Sequence, residues 1–279
     1  MAGLKERSVL ITGCSSGIGR CAALGLKERG YRVFASARRA DDVAALQATG
    51  LEALPLDLAD SDSIANAVDT VLGQTGNRLY ALFNNGAYGQ PGAVEDLSRE
   101  ALREQFETNL FGTHELTRRV IPVMRAQGCG RLVQNNSILG LVALQYRGAY
   151  NASKFALQGL TDTLRLELHG SGIHVCSIEP GPIESRFRAN SYKAYRKHID
   201  PDNSVHRDKY RAMEERLRKE GAAVPFTLPA DAVLKKVIKA LESPRPRAHY
   251  YVTAPTYLFA SLKRVLPTGL MDKLVLRLS

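Results

Sequence analysis

A tyrosine and a lysine four residues apart are the pair best suited to move protons in this chain. The sequence reads Tyr150-Asn151-Ala152-Ser153-Lys154 within a stretch of helical periodicity, so both side chains should lie on one helix face. A free tyrosine stays protonated at neutral pH, whereas a lysine cation beside it favours the phenolate. Lowering the pKa of the tyrosine to neutrality takes about 4 kcal/mol of such stabilisation. The spacing therefore predicts a tyrosine that exchanges a proton with a substrate.

Two further polar residues extend this pair into a set. Ser137 ends a β-type run thirteen residues before Tyr150, where its hydroxyl could hydrogen-bond a substrate oxygen and polarise a carbonyl. Asn109 lies inside a long helical stretch, and we interpret it as an anchor for a water molecule near Lys154. Asn109, Ser137, Tyr150 and Lys154 are therefore the predicted catalytic residues.

Three glycines follow the first β-type run and open a helix. The segment reads Thr12-Gly13-Cys14-Ser15-Ser16-Gly17-Ile18-Gly19. Here Gly13 allows a tight turn, Gly17 lets the backbone approach a pyrophosphate, and Gly19 allows the helix to pack closely on the strand. The helix N-terminus supplies free N–H groups for phosphates. We therefore predict a dinucleotide at this loop, with Gly13, Ser15, Ser16, Gly17, Ile18 and Gly19 as contacts.

The residues after the second β-type run favour NADP over NAD. An acid there would hold the ribose 2′-hydroxyl, whereas an arginine can accept a 2′-phosphate. The sequence continues with Arg38 and Arg39 and has no acid before Asp41. Arg38 offers a planar fork for bidentate phosphate binding, unless both arginines are simply exposed on the surface. Asp57 and Leu58 follow the third run, where the carboxylate could meet the adenine amino group.

Short β-type runs alternate with longer stretches of helical periodicity along most of the chain. The β-type runs are residues 8–12, 31–35, 52–56, 79–84, 131–135, 174–179 and 249–253. The helical stretches include residues 18–29, 61–72, 98–126, 149–169 and 230–241. Strands joined through helices of this length need crossover connections. The sequence thus predicts an α/β fold with a doubly wound parallel sheet.

Length and composition narrow the protein class. The 279 residues are 44% hydrophobic, enough for a substantial core, and we expect one domain over residues 1–279. Apolar runs are too short to cross a bilayer, and the N-terminal run is too short for a signal peptide. The four cysteines, Cys14, Cys21, Cys129 and Cys176, show no CxxC spacing. We expect a cytoplasmic protein with reduced thiols and no metal site.

Residues 184–226 interrupt the alternation and are polar and basic, in a chain whose net charge is +10. Within them, residues 186–219 contain eleven Lys/Arg against five Asp/Glu. No nucleic-acid-binding motif accompanies this charge, so a solvated charged helix is the preferred interpretation over nucleic-acid binding. The region follows the sixth run at the ligand-binding edge of the sheet. We predict a mobile substrate lid in which Phe187, Tyr192 or Tyr195 faces an apolar carbonyl compound, with a solvated loop as the alternative.

Residues 255–279 form a second exception. Apolar residues from Tyr257 to Leu278 recur at helical spacing, interrupted by Pro267 and Gly269. Lysines and arginines occupy the positions between them. The pattern predicts two short amphipathic helices, neither able to span a bilayer. They could cap the substrate pocket, pack on another subunit or lie on an anionic membrane surface, and membrane contact is the least favoured of the three.

The order of these motifs resembles the short-chain dehydrogenase/reductase family in its single-domain form. The resemblance covers the glycine loop, Asp57, Asn84-Asn85-Gly86, Asn109, Ser137, Tyr150, Lys154 and Pro180-Gly181-Pro182. Within the family, the chain is similar to 17β-hydroxysteroid and retinol dehydrogenases and to bacterial aldehyde reductases. Where the family has Asn-Asn-Ala-Gly, this chain has Asn84-Asn85-Gly86-Ala87, so Ala87 is a weaker candidate contact than Asn85.

The resemblance implies a seven-stranded Rossmann sheet and a role for each catalytic residue. Tyr150 would donate a proton to the carbonyl oxygen, which Ser137 would orient. Lys154 would bind the nicotinamide ribose and keep Tyr150 acidic, with Asn109 linking Lys154 to solvent. On the cofactor side, the implied contacts also include Asp57, Leu58, Asn85, Gly86, Pro180, Gly181 and Ile183. Relatives commonly pair through the helices of residues 98–126 and 149–169, which implies a homodimer or homotetramer.

Three functions are compatible with these residues. The preferred one is an NADP-dependent oxidoreductase that interconverts a small hydrophobic aldehyde or ketone and its alcohol. The second is a catalytically silent, nucleotide-sensing or regulatory protein on the same fold, although such proteins usually lose the tyrosine or lysine that this chain keeps. The third is a basic interaction module. Neither the physiological substrate nor the direction of flux follows from the sequence.

Overall fold

The computed structural model describes residues 7–219, 221 and 224–277. The N-terminal residues 1–6 and Leu278, both considered above, lie outside the described residues. The strands are β1 Ser8–Ile11, β2 Arg32–Ala37, β3 Glu52–Pro55, β4 Ala81–Asn84, β5 Gly130–Asn135, β6 Ile173–Glu179 and β7 His249–Tyr251. The helices are α1 Gly17–Glu28, α2 Ala40–Gln47, α3 Ser61–Thr75, α4 Arg99–Phe106, α5 Gly112–Ala126, α6 Gly148–Glu167, α7 Phe187–His198, α8 Arg207–Arg218, α9 Asp231–Glu242, α10 Ala254–Val265 and α11 Thr268–Leu276.

The seven strands form one parallel sheet in the order β3-β2-β1-β4-β5-β6-β7. The order reverses between β1 and β4, because the chain builds outward from β1 first on one side and then on the other. Ligands bind outside the carboxyl ends of strands at such a switch point. The predicted doubly wound, seven-stranded Rossmann sheet is confirmed.

Both faces of the sheet are covered by helices. On one face, buried residues of α1 and α9, such as Leu26 and Val237, pack against β1, β2 and β6. On the other face, α3 and α5 contribute Ile64 and Leu116 to a separate apolar core. Because each central strand is buried on both sides, its residues form nearly continuous apolar runs rather than an alternating pattern.

The helix predicted over residues 98–126 contains a change of helical geometry. A π-helical segment, Glu107–Phe111, separates α4 from α5. After it, Gly112 lies so close to Leu58 that a Cβ would be 1.7 Å from the Leu58 carbonyl oxygen. The segment contains Asn109, and π-helical turns of this kind are frequent at functional sites.

The two predicted C-terminal helices are present as α10 and α11. The break is at Pro267, whereas Gly269 lies inside α11. None of the helices in the described part of the chain is long and apolar enough to cross a membrane.

Candidate active site

The glycine loop between β1 and α1 has the geometry of a phosphate site. Gly13 and Gly17 both have positive φ, at 70° and 54°, a backbone region that favours glycine. A Cβ on Gly19 would lie 2.3 Å from the Gly13 carbonyl oxygen, so only glycine fits there. Ser16 precedes α1 in an extended conformation, and its side chain does not cap the helix. The N–H groups of the first turn therefore remain available to an anion.

The hydroxyl of Thr12 fixes this loop against the end of β4. It accepts hydrogen bonds from the backbone N–H groups of Asn85 at 2.9 Å and Gly86 at 2.8 Å. The Asn85 amide donates to the Thr12 carbonyl at 2.9 Å, and it accepts from Asn135 at 2.9 Å. The transposed Gly86-Ala87 order thus leaves Asn85 and Gly86 firmly held. Thr12 and Asn135 were not among the predicted site residues. The sequence feature that could have identified them is their position at the ends of predicted strands.

The two arginines after β2 differ in their surroundings. Both are exposed, and Arg39 forms an ion pair with Asp41 at 3.1 Å. Arg38, by contrast, has no hydrogen bond or ion pair with any residue that the structure describes. Asp57 follows β3, and its carboxylate accepts from the Ala59 N–H at 3.0 Å. These residues border the carboxyl ends of β2 and β3, where the adenosine half of the cofactor is expected.

Tyr150 lies in the first turn of α6 and meets Ser137, which follows β5. The Ser137 Oγ accepts from the Leu139 N–H at 3.1 Å, which leaves its own O–H free to donate to Tyr150. Burial raises the pKa of Tyr150 to about 12, against the smaller lowering effects of the Ser137 hydroxyl and the Arg147 guanidinium. The net shift of the Tyr150 pKa is therefore upward, opposite to the lowering expected from the sequence, because desolvation of the phenolate dominates.

Lys154 is buried beneath the site, with 2% of its surface exposed. Its Nζ donates to the Asn135 carbonyl oxygen at 2.8 Å and lies 5.7 Å from the centroid of the Tyr150 ring. Burial lowers the pKa of Lys154 to about 7, because a buried ammonium loses its hydration. The fixed charge that lowers the pKa of Tyr150 comes from Arg147, a residue that was not among the predicted site residues.

Asn109 is buried in the π-helical segment, and both its amide oxygen and its amide nitrogen form hydrogen bonds within the protein. Its amide oxygen accepts from the Tyr88 N–H at 3.1 Å. The amide nitrogen donates to the Tyr88 carbonyl at 2.9 Å and to the Ser153 hydroxyl at 3.2 Å. Asn109 therefore ties the loop after β4 to the helix that carries Tyr150 and Lys154. A link from Lys154 to solvent through Asn109 stays a prediction.

The segment after β6 forms the opposite wall. The Pro180 carbonyl accepts from the Ile138 N–H at 2.9 Å, which fixes this segment beside Ser137. A Cβ on Gly181 would lie 2.1 Å from the Thr253 hydroxyl, so Gly181 permits the close approach of the β7 end. Ile183 pairs with Leu228 in an isolated parallel bridge.

The lid predicted over residues 184–226 contains α7 and α8 and has a core of its own. Buried members of this core are Ala93, Tyr195, Ile199, Tyr210, Met213 and Leu217. Tyr195 is therefore turned into the lid rather than toward a substrate, and Tyr192 donates to Glu214 at 2.8 Å. Phe187 alone of the three predicted aromatics contacts Tyr150. Ser185, just before α7, lies against the glycine loop, since a Cβ on Gly17 would be 2.7 Å from the Ser185 Cβ.

The C-terminal helices cover the turn that follows Ser137. Phe259 of α10 and Met271 of α11 are buried together with Val142. Ile138 and Leu141 of the same turn pack against them, and Lys263 donates to the Leu141 carbonyl. Of the three alternatives for the tail, this packing favours a cap beside the substrate side of the site.

Comparison with known proteins agrees with this geometry. Residues 7–196 match the family model for short chain dehydrogenases, so the chain belongs to the short-chain dehydrogenase/reductase family. It is therefore an oxidoreductase. The "uncharacterized oxidoreductase YbbO" of Escherichia coli (strain K12) is 42% identical over 270 residues, covering 97% of this chain and 94% of that protein.

Two other proteins are similar to this chain, one compared by sequence and one by its solved structure. Human 17-beta-hydroxysteroid dehydrogenase type 1 is 32% identical over 260 residues, with 88% of this chain and 77% of the human protein covered. The solved structure of a variant of actinorhodin polyketide ketoreductase with NADPH has a TM-score of 0.73 at 27% identity, covering 90% of this chain and 97% of that chain. The resemblance to the 17β-hydroxysteroid dehydrogenase branch is confirmed.

Proposed function

We propose that this oxidoreductase uses NADP(H) to interconvert a hydrophobic aldehyde or ketone and the corresponding alcohol, with Tyr150 as general acid and base. The observation that carries the proposal is the grouping of Tyr150, Ser137 and Lys154 beside the glycine loop. The Ser137 hydroxyl is near enough to lower the pKa of Tyr150, and the Lys154 Nζ lies 5.7 Å from the centroid of the Tyr150 ring. Lys154 donates to the Asn135 carbonyl, and the Asn135 side chain donates to Asn85 beside the glycine loop.

Residues of this chain can supply the proton that reduction of a carbonyl requires. The pKa of Tyr150 is raised to about 12, so at neutral pH its phenol holds the proton that a carbonyl oxygen needs on becoming an alcohol. The Ser137 hydroxyl, held by the Leu139 N–H, orients that oxygen. A nicotinamide cofactor, when bound, would supply or accept the hydride. Lys154 and Tyr150 would hold its ribose, with Asn109 keeping their helix in position through Ser153.

The glycine loop and Arg38 support NADP as the cofactor. Gly13, Gly17 and Gly19 leave room that a side chain would fill, and the N-terminus of α1 would face the pyrophosphate. Arg38, Ser15 and Ser16 would bind the 2′-phosphate, with Asp57 and Leu58 beside the adenine. Asn85, Gly86, Pro180, Gly181 and Ile183 would line the nicotinamide half. The NADPH in the related ketoreductase structure supports the same choice.

A homo-oligomer is part of the proposal. Exposed apolar side chains lie on α6 and at the end of the π-helical segment before α5, namely Phe111, Phe155, Leu160 and Leu166. Apolar surface of this kind is typical of protein interfaces. Sedimentation across a range of protein concentrations should give a dimer or tetramer, and a monomer at every concentration would contradict it.

Turnover tests the function directly. Wild-type protein should oxidise NADPH with at least one compound from a panel of aldehydes, ketones, steroids and retinoids. Tyr150→Phe, which removes the transferable proton and keeps the ring, should lower that rate by more than about tenfold while NADPH still binds. A variant that retained more activity would identify another acid. Tight NADPH binding without turnover of any compound would favour the nucleotide-sensing alternative.

A further inference from the structure

A buried carboxylate lies immediately before the wall segment, residues 180–183, which follows β6. Glu179 is the last residue of β6, and none of its surface is exposed. The Glu179 Oε1 lies 2.8 Å from the Nδ1 of His249, and its Oε2 accepts from the Tyr250 N–H at 3.2 Å. A carboxylate enclosed in this way is unfavourable unless a cation compensates its charge. His249 of β7 is in position to be that cation.

His249 also faces α6, the helix that carries Tyr150 and Lys154. Its Nε2 lies 3.7 Å from the Oδ1 of Asp162, a residue of α6. The two nitrogens of one imidazole ring thus meet carboxylates from two different elements. A neutral imidazole has a proton on one nitrogen only, so it can donate to one of these acids, whereas an imidazolium can donate to both.

Both carboxylates are connected to the turn that holds Ser137. On the α6 side, Asp162 accepts from the Gln158 amide at 3.0 Å. The Gln158 amide oxygen in turn accepts at 2.6 Å from Asn136, the residue before Ser137. On the other side, the wall segment accepts at its first carbonyl oxygen from the Ile138 N–H at 2.9 Å. The contacts of His249 therefore reach this turn through α6 and through the wall segment.

Several other charged groups surround His249. Arg165 of α6 binds Asp162 at 3.3 Å, and its charge opposes protonation of the imidazole. Tyr251 stacks on the ring with centroids 6.2 Å apart. The solvent side opens into a cavity whose charged lining residues are the paired Arg29 and Glu242 with Lys235, Lys236, Lys239, Arg245 and Arg247. The hydrogen bond to Glu179 outweighs the opposing effects and raises the pKa of His249.

We propose that His249 is a positioning residue whose cation binds Glu179 and Asp162 together, holds the wall segment against α6, and so makes the affinity for NADP(H) depend on pH. The inference rests on the proposed function, in which the wall segment lines the nicotinamide half of the cofactor. Because the pKa of His249 is raised from its ordinary value near 6.5, both pairings are complete below that value. They are lost as the pH rises through the higher value of the folded protein, and the nucleotide should then bind more weakly.

The affinity for NADPH at pH 6 and pH 9 tests the proposal. The Kd of wild-type protein should increase over this range at least about fivefold more than the Kd of His249→Arg, which keeps a permanent cation for both carboxylates. Comparing the two proteins removes effects that they share, such as the titration of Lys154. His249→Gln keeps a donor without a charge, so it should bind NADPH more weakly than wild type at pH 6 and lose the extra pH dependence.

The matched control is His169→Gln. This exposed histidine follows the C-terminus of α6, and the variant should keep the wild-type pH dependence. Thermal melting would establish that each variant is folded. The same pH dependence of NADPH binding in wild type, His249→Arg and His249→Gln would overturn the positioning role.

Hydrogen exchange in the nucleotide-free protein separates this inference from the proposed function. The Ile138 N–H reports on the wall segment, because it donates to the Pro180 carbonyl oxygen. At pH 6 its protection should be similar in wild type and His249→Arg, and at least about fivefold lower in His249→Gln. This result without NADPH binding at any pH would support the positioning role and overturn the proposed function. Equal protection in all three proteins, with NADPH-dependent turnover intact, would overturn the positioning role alone.

Discussion

The ring of Phe187, the first residue of α7, meets the ring of Tyr150 edge-on with centroids 5.3 Å apart. This contact joins the lid directly to the proposed general acid. The next residue, Arg188, is bound to the end of α8, so the two lid helices and the active site are mechanically connected. Substitutions in the lid should therefore change catalysis at Tyr150.

Phe187→Ala should weaken binding of apolar substrates more than that of small ones. Loss of the ring removes an apolar surface beside Tyr150, and we expect KM for octanal to rise about tenfold with little change for propanal. Steady-state kinetics with both aldehydes measures the difference. The control is Val205→Ala, because that lid residue is 87% exposed. Equal changes for both aldehydes would contradict a substrate contact by Phe187.

Oxidation and reduction should depend on pH in different ways. With Tyr150 as the proposed general acid and base, carbonyl reduction would need the protonated phenol and alcohol oxidation its phenolate. With the pKa raised to about 12, the phenolate fraction grows about tenfold per pH unit below that value. Initial kcat for oxidation should therefore climb steadily from pH 6 to 9, while kcat for reduction shows no matching decline. A plateau of the oxidation rate near neutrality would mean that the bound cofactor lowers the pKa of Tyr150 far below its value in the free protein.

Arg38→Gln should reduce the preference for NADPH over NADH. The guanidinium has no partner among the described residues, and a hydrogen-bonded charge pair with phosphate contributes about 1.5–3 kcal/mol. The kcat/KM ratio of the two cofactors should thus fall about tenfold or more. Arg39→Gln provides the matched control, because Arg39 already pairs with Asp41. Wild-type protein that used both cofactors equally well would refute the assignment.

The tail should stabilise the turn after Ser137. Phe259 is 8% exposed and packs with Val142 and Met271, so Phe259→Ala should lower the free energy of unfolding by about 3–5 kcal/mol. Leu258→Ala, at a neighbouring residue that is 55% exposed, should change it little. Thermal and denaturant unfolding report both. Truncation after Thr253 should raise KM for the carbonyl substrate and leave NADPH affinity near normal; unchanged kinetics and stability would exclude a capping role.

The sequence was most informative where function depends on short-range spacing. The glycine loop, the alternation of strands and helices in a parallel sheet and the candidate set of Ser137, Tyr150 and Lys154 all follow from local patterns. The sign of the Tyr150 pKa shift did not, because desolvation depends on packing that no spacing encodes. Phe187 and Tyr150 are far apart in the sequence, and the contact between their rings exists only in the folded protein.

Two further features could not be predicted from the sequence: which aromatic residues of the lid face the site, and the helical geometry within the long helix. Tyr195 and Phe187 look alike as aromatic residues in a basic segment, yet one is buried in the lid core and the other faces Tyr150. Helical periodicity predicted the stretch from 98 to 126 but not its π-helical segment, since one extra residue per turn barely disturbs the apolar pattern.

The contact between Ser185 and Gly17 has a kinetic consequence. The segment leading into the lid lies against the loop that is proposed to bind the pyrophosphate, so we expect the dinucleotide to bind before the segment takes up this position. We therefore expect a compulsory order of addition, with the nucleotide first to bind and last to leave. Product-inhibition patterns would reveal this order: NADP⁺ should be competitive with NADPH but not with the carbonyl substrate. A random pattern would mean that Ser185 moves aside independently of the lid.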